Sequence, residues 1–185
     1  MPALYTNNQY LCPINQRETD IETDLDRILA LADEKTLENQ GFTAFLKAQD
    51  AAMVDAMVLE LDTQISPKID CTACGNCCKS LMIVVSDEEA DRLSGQLNQS
   101  RHEFDACYLE KGSNGMMIMN RIPCHFLSAN KCTVYEHRFA GCREFPALHI
   151  PGFTGRLFTV FMHYGRCPII FNVVETLKKS MKFVK

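Results

Sequence analysis

Cys71-Thr-Ala-Cys74-Gly-Asn-Cys77-Cys78 puts four thiols within eight residues, spaced C-x2-C-x2-C-C. A two-residue gap lets the thiolates at i and i+3 turn toward one centre. Gly75 permits the backbone twist that a tight metal-binding knuckle needs. Four more cysteines follow, Cys124, Cys132, Cys142 and Cys167. Eight thiols make two sets of four, the number zinc takes in a closed site and iron–sulfur clusters take from protein. Adjacent Cys77 and Cys78 cannot easily chelate one ion, because neighbouring side chains diverge from the backbone. They better serve different metals, or different irons of one assembly, so the pattern points to two centres or one polynuclear centre. C-x2-C-x2-C with a remote Cys-Pro is a bacterial-ferredoxin spacing. Cys71, Cys74 and Cys77 with Cys167-Pro168 match it, leaving Cys78, Cys124, Cys132 and Cys142 as the other set.

Thiolate clusters carry negative charge and call for nearby cations or amide donors. Lys79, Lys131, Arg143 and Arg166 each adjoin one of the eight cysteines. His125 follows Cys124 and reads as a polar residue on the rim of the site, since enough thiolates are present without it. Cys12 stands alone and reads as a free thiol, and Cys107 as a small buried hydrophobe. No G-x-S-x-G, P-loop or dinucleotide fingerprint is present. The C-x3-C-x2-C spacing of radical S-adenosylmethionine enzymes is missing too. Any catalysis would run through the metal, and whether the protein is an enzyme stays open.

The chain has 185 residues, 46% hydrophobic and 23% charged, ordinary figures for a globular protein. A net charge of -4 and no basic stripe speak against nucleic acid. No apolar run approaches the roughly 18 residues of a membrane helix, and residues 1–17 lack a signal peptide's basic start and apolar core. The expected address is a reducing cytoplasm, where ten cysteines read as metal binding rather than disulfides.

The elements that must position the thiols follow from periodicity and caps. Thr19-Asp-Ile-Glu22 reads as a capping box opening a helix over 19–35, and an apolar stripe from Phe42 to Leu61 predicts a second over 40–64. The two make an antiparallel hairpin. Leu81–Val85 reads as a short buried strand. Ser86-Asp-Glu-Glu89 and Ser100-Arg-His-Glu103 are two more capping boxes, opening helices to Leu93 and Glu110. Met116–Met119 reads as a strand, and 147–163 as a hairpin whose returning strand is Leu157–His163. Pro168 opens a C-terminal helix with Lys178, Lys179 and Lys182 near its end, where cations suit the helix dipole. The expected fold is α+β and mainly helical. An N-terminal helical hairpin, residues 1–66, packs on a small cysteine-rich metal-binding domain with short strands, residues 67–185.

CTACGNCC, PCHFLSANKCTVYEHR, GCREFP and RCP together resemble the zinc- or iron-chelating CxxCxxCC cysteine-cluster family, also called YkgJ-like. The resemblance runs from Cys71 to Lys179. All eight family cysteines have counterparts, Cys71, Cys74, Cys77, Cys78, Cys124, Cys132, Cys142 and Cys167. One departure is Phe139, where the family usually has a proline after the arginine; it removes a rigid turn but no ligand. The CPIIFNVVETLKK ending is similar to longer, largely bacterial members that carry an N-terminal helical extension. The resemblance implies chelation of zinc or iron, an iron–sulfur cluster among the options. A related cysteine module in flagellin lysine methylases points toward protein modification. Three roles compete: an iron–sulfur redox or protein-modifying enzyme, a non-catalytic module presenting a surface to a protein partner, and metal storage or delivery.

Overall fold

A computed structural model describes residues 21–184. Helices dominate it, and its only sheets among those residues are two antiparallel strand pairs. This is the expected mainly helical α+β class.

Three helices, not two, open the described chain: α1 (Leu25–Glu34), α2 (Thr36–Lys47) and α3 (Ala51–Ile65). The predicted start at Thr19 falls outside the described residues, as does Cys12. The observed cap is Asp24, whose carboxylate accepts from the N–H groups of Asp26 and Arg27. Glu22 precedes the helix instead of lying in its first turn. Its N–H donates to Asn172 Oδ1 at 3.0 Å, and its carboxylate accepts from Thr23 and Asp24. The predicted 40–64 helix breaks because Asp50 caps α3, accepting from Met53 N–H at 2.8 Å.

The cysteine stretch forms α4 (Cys71–Cys74) and α5 (Asn76–Ser80). Next come α6 (Asp87–Gln96) and α7 (Arg101–Tyr108), each opened by a complete capping box. α7 ends at Tyr108 and runs into β1 (Leu109–Lys111), which pairs with β2 (Met117–Met119). Leu81–Val85 is not a full strand. It makes one isolated bridge, Val84 with Ile118, because the chain leaves α5 at Ser80 and is recaptured by the Ser86 cap. β3 (Leu127–Ser128) and β4 (Lys131–Cys132) form a second hairpin. Its turn residues Ala129 and Asn130 both have positive φ, as a type I′ turn requires.

α8 (Ala140–Glu144), α9 (Leu157–Tyr164) and α10 (Pro168–Ser180) complete the chain. α9 corrects the predicted hairpin over 147–163. Leu157, Val160, His163 and Tyr164 are buried, a helical spacing, while Phe158 and Met162 face solvent. An apolar run this short carries no decisive period, and packing beside α10 selects the helix. Pro168 occupies the first turn of α10, as expected.

The apolar side chains gather in two clusters. One joins α1, α2 and α3 to α9 and α10, through Ile28, Phe42, Val54, Leu61, Tyr164 and Val174. The other joins α6 and α7 to the strand segments, through Val85, Leu93, Phe104, Met119, Phe126 and Phe139.

Lys178 is buried, not a surface cation suiting the helix dipole. Its Nζ donates to Glu38 and Glu175 at 2.7 Å each and to Asn39 Oδ1 at 2.6 Å. Lys35 pairs with Glu175 as well, and Tyr164 donates its hydroxyl to Glu175 at 2.8 Å. Burial pushes the Glu175 carboxyl up, but the donors Lys178, Lys35 and Tyr164 outweigh it and hold the net value below the ordinary one. Lys178→Ala strips the cation from buried carboxylates and should cost about 3–5 kcal/mol in denaturant unfolding. Glu175 has the lower pKa when folded, so its contribution is complete above about pH 4.3, the ordinary glutamate value. It drains away as pH falls through the folded value. Glu175→Gln should flatten that part of the acid limb when unfolding free energies are measured from neutral pH downward.

Candidate metal centre

The cysteine knuckle is built from two helical turns and a glycine. Asp70 caps α4, its Oδ1 accepting from Thr72 N–H at 2.8 Å, Ala73 N–H at 3.3 Å and the Thr72 hydroxyl at 2.6 Å. Gly75 then takes φ 59°, the left-handed conformation that ends α4 and starts α5. A Cβ at Gly75 would come within 2.8 Å of the Asn130 carbonyl in the β3–β4 turn. The knuckle and this hairpin therefore touch backbone to backbone. Cys124 N–H donates to the Cys78 carbonyl at 2.9 Å, a second tie. Asn76 reaches the other way, its Nδ2 donating to the Arg166 carbonyl beside Cys167 at 2.7 Å.

The thiols sort by neighbourhood. Burial, then the charge of Cys71 and Cys74, raises the Cys167 thiol to about 12. Burial, then Cys78, Cys124 and Cys132, raises Cys142 to about 12. Cys124 and Cys132 are raised by burial first and by Cys78 among the thiols. Cys71 is raised by burial, then by Cys74. Cys77 and Cys78 touch at 4.0 Å between sulfurs, and that contact is the largest influence on both. It raises Cys77, which also feels Cys167, and lowers Cys78. Cys167 lies in the first apolar cluster, whereas Cys124, Cys132 and Cys142 pack against the second. Cys71 is exposed, and Cys74, Cys77, Cys78, Cys124, Cys132 and Cys142 are half-buried.

Among the described residues, no three Cys, His, Asp or Glu side chains stand close enough to hold one ion as placed. The structure thus brings the thiols into mutual reach without closing them on a point. The donor set still suits zinc or iron chemically: half-buried thiols in groups, whose thiolates a bound ion would stabilise.

Sequence reasoning overlooked the cation that matters most. Arg138 lowers Cys71, Cys78, Cys132 and Cys142 together. Its guanidinium lies 3.6 Å from the Tyr135 ring centroid, and its Nε donates to the Tyr135 carbonyl at 2.9 Å. Of the four flanking cations, Lys79 acts on Cys78, Lys131 acts on Asp70, and Arg143 donates to the Arg138 carbonyl. Arg166 offers its carbonyl to Asn76. Arg138 lies in the family-like stretch before Phe139, but it does not adjoin a cysteine, and a 3-10 turn over Tyr135–His137 leads into it. The asparagine and aspartate anchors were also missed, though an Asp directly before Cys-x2-Cys is a readable cap.

Two lesser residues are also placed. His125 Nε2 bonds to Asn120 Oδ1 at 2.7 Å, and its ring meets the edge of Tyr108, which holds it as a rim residue. Cys107 corrects the expectation of a buried hydrophobe. It is exposed, because the short α7 turns Phe104 and Tyr108 inward and leaves it on the flank. Phe139, where the family usually has proline, is buried beside Phe126. Arg138 before it is already extended at φ -52°, ψ 148°, so the turn survives without the ring.

Gly75→Ala should cost at least about 1–2 kcal/mol for the left-handed backbone alone, and more for the clash with Asn130. Gly95→Ala, on α6 with open space around it, should instead gain about 0.5–1 kcal/mol. Denaturant midpoints of the two variants check both.

No curated protein and no solved structure matches the chain. Residues 70–166 match a zinc- or iron-chelating domain family, spanning seven of the eight cysteines and stopping one residue before Cys167. The chain belongs to the CxxCxxCC family of zinc- or iron-chelating domains.

Proposed function

We propose that this protein chelates zinc or iron through eight cysteines in two four-thiol sets. Cys71, Cys74, Cys77 and Cys167 form the first set, and Cys78, Cys124, Cys132 and Cys142 the second. The observation that carries this reading is the neighbourhood pattern among the thiols. Cys142 responds to Cys78, Cys124 and Cys132, Cys167 responds to Cys71 and Cys74, and the two sets meet at the consecutive residues Cys77 and Cys78, whose sulfurs lie 4.0 Å apart. The first set ties the knuckle to the start of α10, and the second ties it to the β3–β4 hairpin and α8.

Bound zinc would supply a closed structural staple, and bound iron with sulfide an electron-transfer centre. The protein's own residues would do the rest. Asp70 and Gly75 shape the knuckle, and Arg138 offsets thiolate charge at both sets. Metal affinity would then form part of the folding free energy. The reading needs a compartment that keeps thiols reduced, as the cytoplasm does.

The test is metal and acid-labile sulfide per chain on protein purified without oxygen, for wild type and each single Cys→Ser variant. Two metal centres in the wild type are expected. The variants should fall into the two groups of four named above, each losing one centre and keeping the other. Sulfide and visible colour would assign iron–sulfur clusters, and a colourless zinc protein would assign structural sites. Loss of all metal from every variant would replace the two sets with one polynuclear site. A wild type without metal sinks the proposal.

A further inference from the structure

The Glu89 carboxylate bonds in two directions. Its Oε2 accepts from Ser86 N–H at 3.1 Å, completing the box that starts α6. Its Oε1 accepts from Ala140 N–H at 2.5 Å, across 51 residues of sequence. Ala140 is the first residue of α8, and Phe139 before it offers no side-chain cap. Cys142 lies two residues further on, its N–H held by the Phe139 carbonyl at 3.0 Å. A five-residue helix has little stability of its own, so the contacts at its start, the buried Phe139 and the groups that hold its first N–H groups, set where it sits. Glu89 can serve as a fixed post. It is 9% exposed, and α6 is braced on α7 by Arg101, which bonds to Asp87, Asp91 and Asp105.

We propose that Glu89 is a positioning residue for Cys142. By holding the start of α8 to α6, it sets Cys142 against Cys78, Cys124 and Cys132. The inference rests on the two-set reading above and extends it to a carboxylate 53 residues from the thiol it serves. Glutamine replaces it only in part, because it has one acceptor oxygen for two N–H groups and its amide nitrogen would face the other.

The test is a chelator competition in two backgrounds. Cys71→Ser breaks the first set and reports the second; Cys124→Ser breaks the second and reports the first. Glu89→Gln should weaken metal retention about 10-fold to 100-fold in the Cys71→Ser background, the usual range for a group that orients a ligand. It should change nothing in the Cys124→Ser background. Ala140→Pro removes the same hydrogen bond from the other side and leaves the α6 box intact. Proline is tolerated at a first helical position, so this variant decides the matter if Glu89→Gln fails to fold. Ser86→Ala removes only the box hydroxyl and should retain metal as its parent does. Unchanged retention in both Glu89→Gln and Ala140→Pro would overturn the role. Equal weakening of the two sets would overturn it too, since that is general destabilisation. If the Cys71→Ser and Cys124→Ser parents bind no metal although the wild type does, the two-set reading fails, and this inference with it.

Discussion

Cys77 and Cys78 are consecutive residues whose sulfurs lie 4.0 Å apart, yet they look into different surroundings. Cys77 senses Cys167, at the start of α10, while Cys78 acts on Cys124, Cys132 and Cys142. The peptide between them therefore marks a seam. On one side is the apolar cluster built by the first three helices with α9 and α10; on the other is the cluster beneath the short strands. The rest of the fold serves to bring both sides to this seam. α3 carries α10, which presents Cys167, and α6 with α7 supports the segments that present the other three thiols.

The electrostatics of the seam are unbalanced. Burial raises Cys71, Cys124, Cys132, Cys142 and Cys167, and neighbouring thiols raise them further. At an effective dielectric near 20, two unit charges 4 Å apart interact by about 4 kcal/mol. Thiols raised in this way stay protonated and neutral at ordinary pH, and Arg138 and Lys79 are too few to let several of them ionise together, although Arg138 reaches thiols of both sets. Divalent ions would meet the deficit, since four thiolates on one ion leave a net charge near -2 that a few basic groups and amides can accommodate.

The parts legible in the sequence were those with a local physical rule. The capping boxes at Ser86 and Ser100, the left-handed Gly75 and the opening of α10 at Pro168 all follow from three or four adjacent residues. The chelating character was legible too, because C-x2-C-x2-C-C packs four thiols into eight residues. What escaped depends on distant partners. α9 reads as a strand until α10 is there to pack against. Lys178 reads as a surface cation until Glu38 and Asn39 arrive from 140 and 139 residues away. Asp50 ends one pattern and begins another inside a stretch whose apolar stripe looks continuous.

The thiol-bearing elements share a property that ties fold to function. α4, α5 and α8 contain no buried residue, and β4 is no more than half-buried. The hydrophobic effect scales with apolar area removed from water, so it gives these elements little hold. Besides partial packing against the second cluster, they are placed by single polar contacts between residues distant in sequence: Asn76 to Arg166, Cys124 to Cys78, and Glu89 to Ala140. Net hydrogen bonds contribute about 1 kcal/mol each, too little to fix four segments firmly. Cys167 is the exception, buried in the first cluster at the head of a well-packed helix. One thiol is thus anchored by the core, while the others sit on segments whose final placement a bound ion would complete. On the proposed reading, metal binding would be coupled to the order of the seam, while α10 packs on α3 through apolar side chains.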